Sequence, residues 1–177
     1  MDTIRLIKPS MDYAEDIMAY RREYLANDPD EDMDGANDLK KYSSAEEWLS
    51  QLEKRSRPET CPENRAPSDT LIAVRQSDNK IVGIIDLRHH IDNPVLKEWG
   101  GHIGYCVRPD ARRKGYAKEM LRLDLEYARK IGLKKVMVTC YADNIASERT
   151  ILANGGVFER ETTDGKGHTV KRYWITL

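Results

Sequence analysis

The chain has 177 residues, with 29 basic and 30 acidic side chains and a formal net charge of -1 at pH 7. That length suits one domain, residues 1–177, with a proper core, and the balanced charge argues against a nucleic-acid-binding surface spread over the molecule. No apolar run approaches the roughly 18–20 residues that span a bilayer, and Met1-Asp2-Thr3-Ile4-Arg5 lacks the core of a signal peptide. Neither nucleic acid nor membrane is therefore an expected partner. Cys61, Cys106 and Cys140 are odd in number and contain no C-x-x-C, which points to reduced thiols in a cytoplasm. The histidines, including adjacent His89 and His90, have no metal-ligand spacing, so no metal is expected.

Taken in order, Ile4 to Ile7 reads as a first strand ending at Pro9. Ser10 is placed to cap a helix over 11–26, with Ala14, Ile17, Met18 and Leu25 as its apolar face. Residues 27–38 are acidic, contain Pro29 and Gly35, and read as a loop. Ser43 or Ser44 followed by Glu46 and Glu47 starts a second helix running to Arg55, with Trp48, Leu49 and Leu52 inward. The proline-containing stretch 56–69 is a second loop. Thr70–Arg75 and Lys80–Arg88 are strands joined by a tight turn at Ser77-Asp78-Asn79. Residues 91–100 connect onward to a strand entering the run Gly104-Tyr105-Cys106-Val107-Arg108-Pro109. A helix follows over 115–131, with Ala117, Leu121, Leu125 and Ala128 on one face and Gly132 as its C-cap. Val136–Tyr141 is a strand, Asn144 opens another helix, and Val157 to Leu177 forms a closing hairpin around Asp164-Gly165-Lys166-Gly167. Strands alternating with helices in the middle and hairpins at both ends imply an α/β fold with a mixed central sheet flanked by helices.

The most informative segment runs from Gly101 to Ala117. An apolar strand enters Arg108-Pro109, then a basic turn of Arg112, Arg113 and Lys114, then Gly115-Tyr116-Ala117 and a helix. Unpaired N–H groups and the helix dipole make such a strand-to-helix turn a place to hold phosphates. The Walker pattern and G-x-G-x-x-G are both absent, which excludes the two common nucleotide-binding turns.

Arg112-x-x-Gly115-x-Ala117, directly after a strand ending in Val-Arg-Pro, resembles the acetyl-CoA signature of the GNAT acetyltransferases. Asn144-x-x-Ser147, the closing Asn154-Gly155-Gly156-Val157-Phe158 and the upstream Ile81-Val82-Gly83-Ile84 match the same family in order, so the resemblance covers about residues 3–177. Leu87-Arg88-His89, Gly100-Gly101-His102-Ile103-Gly104-Tyr105 and Asp34-Gly35-Ala36-Asn37 further resemble a bacterial branch with no settled substrate.

The resemblance implies a GNAT-like fold and an acetyl-CoA-dependent N-acetyltransferase acting on the primary amine of a small molecule. A protein or peptide acceptor, or a non-catalytic acyl-CoA sensor, are the alternatives. Homodimers are common in the family. By the same resemblance, backbone groups of Arg112, Arg113, Lys114, Gly115, Tyr116 and Ala117 hold the pyrophosphate, and Cys106 and Val107 pair with the pantetheine arm. Asn144 and Ser147 add contacts to that arm, although Asn144 also reads as a plain N-cap. Many members place a Glu where this chain has His102, which titrates near neutrality and is the expected base; Asp86 and Glu98 are alternatives. Many members place a Tyr acid where this chain has Ile151, leaving Tyr105, Tyr141, Tyr173 or Cys140 to protonate the thiolate, with Tyr141 singled out. Arg88 is placed to hold a substrate carboxylate, while the acidic loop Asp28–Asp38 is placed to attract a cationic amine.

Overall fold

A computed structural model describes residues 2–177. Seven strands form one sheet in the order β1-β2-β3-β4-β5-β7-β6. They are β1 (Ile4–Ile7), β2 (Ser68–Arg75), β3 (Ile81–Arg88), β4 (Ile103–Val107), β5 (Lys135–Tyr141), β6 (Val157–Thr163) and β7 (Thr169–Thr176). Every neighbouring pair is antiparallel except β4–β5, so the sheet is mixed as the strand–helix alternation implies. The four α-helices are α1 (Ala14–Asn27), α2 (Ala45–Ser56), α3 (Tyr116–Lys130) and α4 (Ile145–Leu152).

Two apolar layers sandwich the sheet. One joins Val82, Ile85, Leu87 and Ile103 to Met120, Leu121 and Leu125 of α3 and Ile151 of α4. The other joins Ile72, Ile81 and Ile84 to Ile17, Tyr20 and Tyr24 of α1 and Trp48 and Leu52 of α2. Alternation along a strand produces this split, because successive side chains point to opposite faces. On β4, Ile103, Tyr105 and Val107 turn to the α3–α4 layer and Cys106 turns to α1–α2.

Three local expectations need correction. Ser10 does not cap α1; its hydroxyl bonds the Asp12 carboxylate at 3.3 Å, and a 3-10 turn at Met11–Tyr13 precedes the helix. Tyr20 and Tyr24, not Leu25, complete the buried face of α1. Residues 91–100 are not a plain connection, since Leu96–Gly100 forms a π-helical turn. Ser44 does cap α2, accepting from Glu47 N at 3.3 Å, and Gly132 does end α3 in the left-handed region at φ 93°.

Asp124 is fully buried on α3, and neither carboxyl oxygen has a partner among the described residues. Burial first, then the charges of Asp86 and Asp69, push its pKa well above the ordinary carboxylate value. The folded chain therefore keeps a proton that the unfolded chain releases above about pH 4. Stability from this group is fully present below that pH and falls as pH rises, by up to about 1.4 kcal/mol per unit. Urea unfolding at several pH values is expected to show this slope in the native chain and to lack it in Asp124→Asn.

Candidate active site

β4 and β5 meet at one register pair, Ile103 with Val138. Beyond that pair the two parallel strands diverge, and a cavity of about 1050 Å³ lies over the gap, lined from β4 by Tyr105, Cys106 and Val107 and from the β5 end by Tyr141. The same cavity reaches the basic turn before α3, the start of α4, the acidic loop at 30–34 and the β6–β7 turn at 166–169.

The turn before α3 is built as an anion cradle. Arg113 and Gly115 both adopt left-handed backbone, at φ 61° and 87°. The backbone N–H groups from Arg113 to Lys118 donate to no backbone carbonyl among the described residues, whereas Arg112 N and Glu119 N on either side do. Unpaired N–H groups converging at a helix N-terminus favour a negative ligand such as pyrophosphate. The basic side chains have separate tasks. Arg112 turns away, donating to Val107 O at 3.2 Å, pairing with Asp28 and lying over the Tyr24 ring at 5.1 Å. Lys114 donates to Asp110 O at 2.7 Å. Arg113 is exposed and makes no ion pair among the described residues. Tyr116 is buried in the core, so only its backbone belongs to the cradle.

The backbone of β4 corrects one expected contact. Arg108 N donates to Val82 O and Arg88 N donates to His102 O, both at 2.8 Å. Antiparallel pairs alternate between bonded and non-bonded, so Cys106 opposite Ile84 directs its backbone at β3. Its carbonyl also accepts from the Tyr20 hydroxyl at 3.0 Å. Cys106 therefore cannot offer its backbone to a ligand in the gap. Tyr105 and Val107, the intervening residues, direct theirs toward β5.

At the start of α4, Asn144 Oδ1 accepts from Ser147 N at 3.0 Å, the plain capping role. Its Nδ2 donates to no described residue, which leaves a donor beside the cavity. Ser147 Oγ meets the Tyr105 hydroxyl at 2.8 Å, so a tyrosine from β4 reaches the helix where Ile151 is buried in the core. Burial, the largest influence, holds the Tyr105 phenol far above its usual pKa.

The expected base is not brought into this cavity. His102 is buried at the root of the β4–β5 pairing, where its Nδ1 accepts from Met137 N at 2.9 Å. Burial, then the Arg88 charge, pushes its pKa down to about 4. Arg88 also stays outside, donating to Gly100 O and Gly101 O at 3.2 and 3.0 Å and so pinning the turn ahead of β4. Asp86 is buried under the loop, accepting from Asn37 Nδ2 at 2.7 Å and Thr70 Oγ1 at 2.8 Å. Glu98 is taken by Arg160 and Thr162. Tyr141 does line the cavity, and its hydroxyl donates to Asp164 Oδ2 at 3.3 Å.

Asp34 is the carboxylate that the fold delivers. Its neighbour Gly35, at φ 76°, packs so closely on β4 that a β-carbon there would lie 2.1 Å from Gly104 O. Gly104 directly follows the last β4–β5 pair, so Asp34 stands where the gap opens. Asp34 itself is exposed by surface area and lines the cavity. The protein atoms crowded around the carboxyl, then the like charge of Asp32, raise its pKa to about 6 against the opposing pull of Arg88. A cleft carboxylate poised near neutrality is a candidate proton acceptor. The loop is fixed by Arg55, which donates to Asn37 Oδ1 at 2.8 Å and Asp38 Oδ2 at 2.7 Å.

Among the described residues, no group of three or more His, Cys, Asp or Glu is placed to hold a metal ion, and no helix is long and apolar enough to cross a membrane. No curated protein matches this sequence. Solved structures share the fold. The microcin C7 self-immunity acetyltransferase MccE, in complex with acetyl-CoA and AMP, has a TM-score of 0.71 at 19% identity, covering 100% of this chain and 94% of its own. RimL, a ribosomal L7/L12 α-N-protein acetyltransferase in complex with coenzyme A, scores 0.69 at 19% identity, covering 99% and 94%. The ribosomal-protein-S5-alanine acetyltransferase from Vibrio fischeri scores 0.70 at 19% identity, covering 98% and 91%. The acetyltransferase (GNAT) domain model matches residues 4–157, spanning the gap, the cradle and α4, and on that match the chain belongs to the GNAT acetyltransferase family.

Proposed function

We propose that this chain is a cytoplasmic N-acetyltransferase that moves an acetyl group from acetyl-CoA directly to the primary amine of a small molecule. The observation that carries this reading is the run of unpaired N–H groups from Arg113 to Lys118 opening onto the same cavity as Asp34. The cradle fits the pyrophosphate of coenzyme A, and the backbone of Tyr105 with the Val107 N–H fits its amide-bearing arm, the Val107 carbonyl being taken by Arg112. Solved neighbours bound to acetyl-CoA or coenzyme A support that donor. The free thiols Cys61, Cys106 and Cys140 support a reducing compartment.

Asp34 takes a proton from the acceptor ammonium, and the freed amine attacks the thioester carbonyl. A backbone N–H of β4 at the gap stabilises the oxyanion. As the carbon–sulfur bond breaks, the surplus proton on the acetylated nitrogen passes to the departing sulfur, so that coenzyme A leaves as the thiol. The Tyr105 hydroxyl, kept protonated by its raised pKa, steadies that sulfur with a hydrogen bond. Tyr141 is less suited to this because its hydroxyl faces the Asp164 carboxylate, which only accepts, whereas the Ser147 hydroxyl 2.8 Å from Tyr105 can itself be the donor. Tyr105→Phe is expected to lower kcat by about 10- to 100-fold, the worth of one hydrogen bond to a charged group, with acetyl-CoA affinity by calorimetry within about twofold. A matching loss of affinity would instead make Tyr105 part of the donor site.

The small-molecule reading is supported by the neighbour MccE, whose structure holds AMP as well as acetyl-CoA. Ribosomal-protein acetyltransferases among the neighbours support a second reading, in which a chain terminus enters instead. A homodimer is supported by edge strand β6, where Val157 and Phe158 are exposed near Leu152. Release of coenzyme A against polyamines, amino acids, aminoglycosides and short peptides tests the assignment. Turnover with a small amine is the expected result, turnover with peptides alone selects the second reading, and binding without release identifies a sensor.

A further inference from the structure

The cleft has walls of opposite charge. Asp30, Glu31, Asp32 and Asp34 line it from the acidic loop, and Lys166 and His168 line it from the turn between β6 and β7. Tyr141 stands between them, hydrogen-bonded to Asp164 of the turn and within reach of the charges of Asp34 and Asp32.

The turn is held more firmly than a solvated turn requires. Asp164 Oδ1 accepts from Lys166 N at 2.8 Å and from His168 N at 2.9 Å. Its Oδ2 meets His168 Nδ1 at 3.0 Å, and Asp164 N donates to His168 O at 3.0 Å. The Asp164 side chain is 3% exposed, whereas that of His168 is 59% exposed. A buried carboxylate thus orients an exposed imidazole, leaving Nε2 as the free ring nitrogen. The Asp164 contact fixes the ring's orientation, and the ring packs edge-on against Tyr141 with centroids 5.5 Å apart, which holds it at the cleft.

We propose that the acceptor carries a carboxylate or a phosphate besides its amine, and that Lys166 and His168 seat that anionic group. The proposal rests on the acetyl-transfer reading above and names the acceptor class it takes. The amine meets Asp34 on the acidic wall and the anion meets the turn. An acceptor with a second ammonium would set a like charge against Lys166. Asp164 is a positioning residue in this arrangement.

The test compares acceptors that share an amine and differ at the far end. One set is 4-aminobutyrate, butylamine and 1,4-diaminobutane; the other is glycine, 2-aminoethyl phosphate, ethylamine and 1,2-diaminoethane. The native enzyme is expected to favour an anionic member over its neutral partner by about tenfold or more in kcat/KM. In His168→Gln/Lys166→Met that ratio is expected to fall to about one, with acetyl-CoA affinity as the control for folding. A preference for the diamines, or a double variant that keeps the native ratio, overturns the proposal. The same compounds are also titrated into the enzyme–coenzyme A complex. Anionic members binding no tighter than neutral ones likewise overturns it. Tighter anion binding without any turnover supports the anionic seat and counts against the transfer reading instead.

Discussion

Asp34→Asn is expected to lower kcat by about 10²- to 10⁴-fold, the range for loss of a general base. The amide preserves size and polarity but cannot accept the ammonium proton. Because the Asp34 pKa is raised to about 6, native kcat/KM is expected to fall as pH drops through that value. The direction follows from the charged form being the active one: below the pKa the carboxyl holds its proton and cannot accept another. In the variant the residual activity is expected to lose that acidic limb, while acetyl-CoA binding by calorimetry stays within about twofold of native. His102→Ala provides the contrast. With Nδ1 held by Met137 N and its pKa at about 4, His102 cannot produce a limb near pH 6. If the limb disappears in His102→Ala and persists in Asp34→Asn, the two roles are reversed.

Gly115→Val is expected to weaken acetyl-CoA binding by at least about 100-fold. Gly115 sits at φ 87°, a conformation that costs a non-glycine residue about 1–3 kcal/mol and a β-branched one the most. The replacement must leave that conformation or accept the strain, and either course disturbs the N–H groups on both sides of it. A valine side chain also enters the space beside the cradle. The fold is expected to survive, because most α3 core contacts, through Met120, Leu121 and Leu125, lie beyond the first turn and only Tyr116 sits beside the strained residue. Calorimetry with acetyl-CoA, read beside the circular dichroism spectrum, checks both halves. Native affinity in a folded variant would remove the cradle from the donor site.

The signature turn was legible because its backbone is unusual. A glycine after a basic run, between an apolar strand and an amphipathic helix, announces a left-handed turn ahead of a helix N-terminus. Most strands were legible for the same kind of local reason, since period-two patterns and turn residues act over a few positions. What stayed hidden depends on packing between distant segments. Asp34 looks like one acid among several in a loop, and only the contact of Gly35 with Gly104 places it at the gap. His102 occupies a suggestive position, but pairing with the Met137 N–H removes it from the cavity. Arg112 reads as a phosphate ligand until Asp28 is found beside it. Cys106 and Val107 are adjacent in sequence, yet strand alternation sends their backbones to opposite neighbours. The Asp164–His168 pair carries a faint local signal, a four-residue spacing across a glycine-rich turn, and its place beside Tyr141 comes from the β5–β7 register.

The Arg112–Asp28 ion pair has a thermodynamic consequence. Arg112 stands at the start of the donor cradle, and Asp28 stands at the start of the loop that carries Asp34 toward the acceptor. Any donor that shifts Arg112 changes the free energy of that loop. Linkage is reciprocal, so an acceptor that settles the loop must change donor affinity by the same factor. One guanidinium is thereby placed to couple donor and acceptor binding before any bond between them forms.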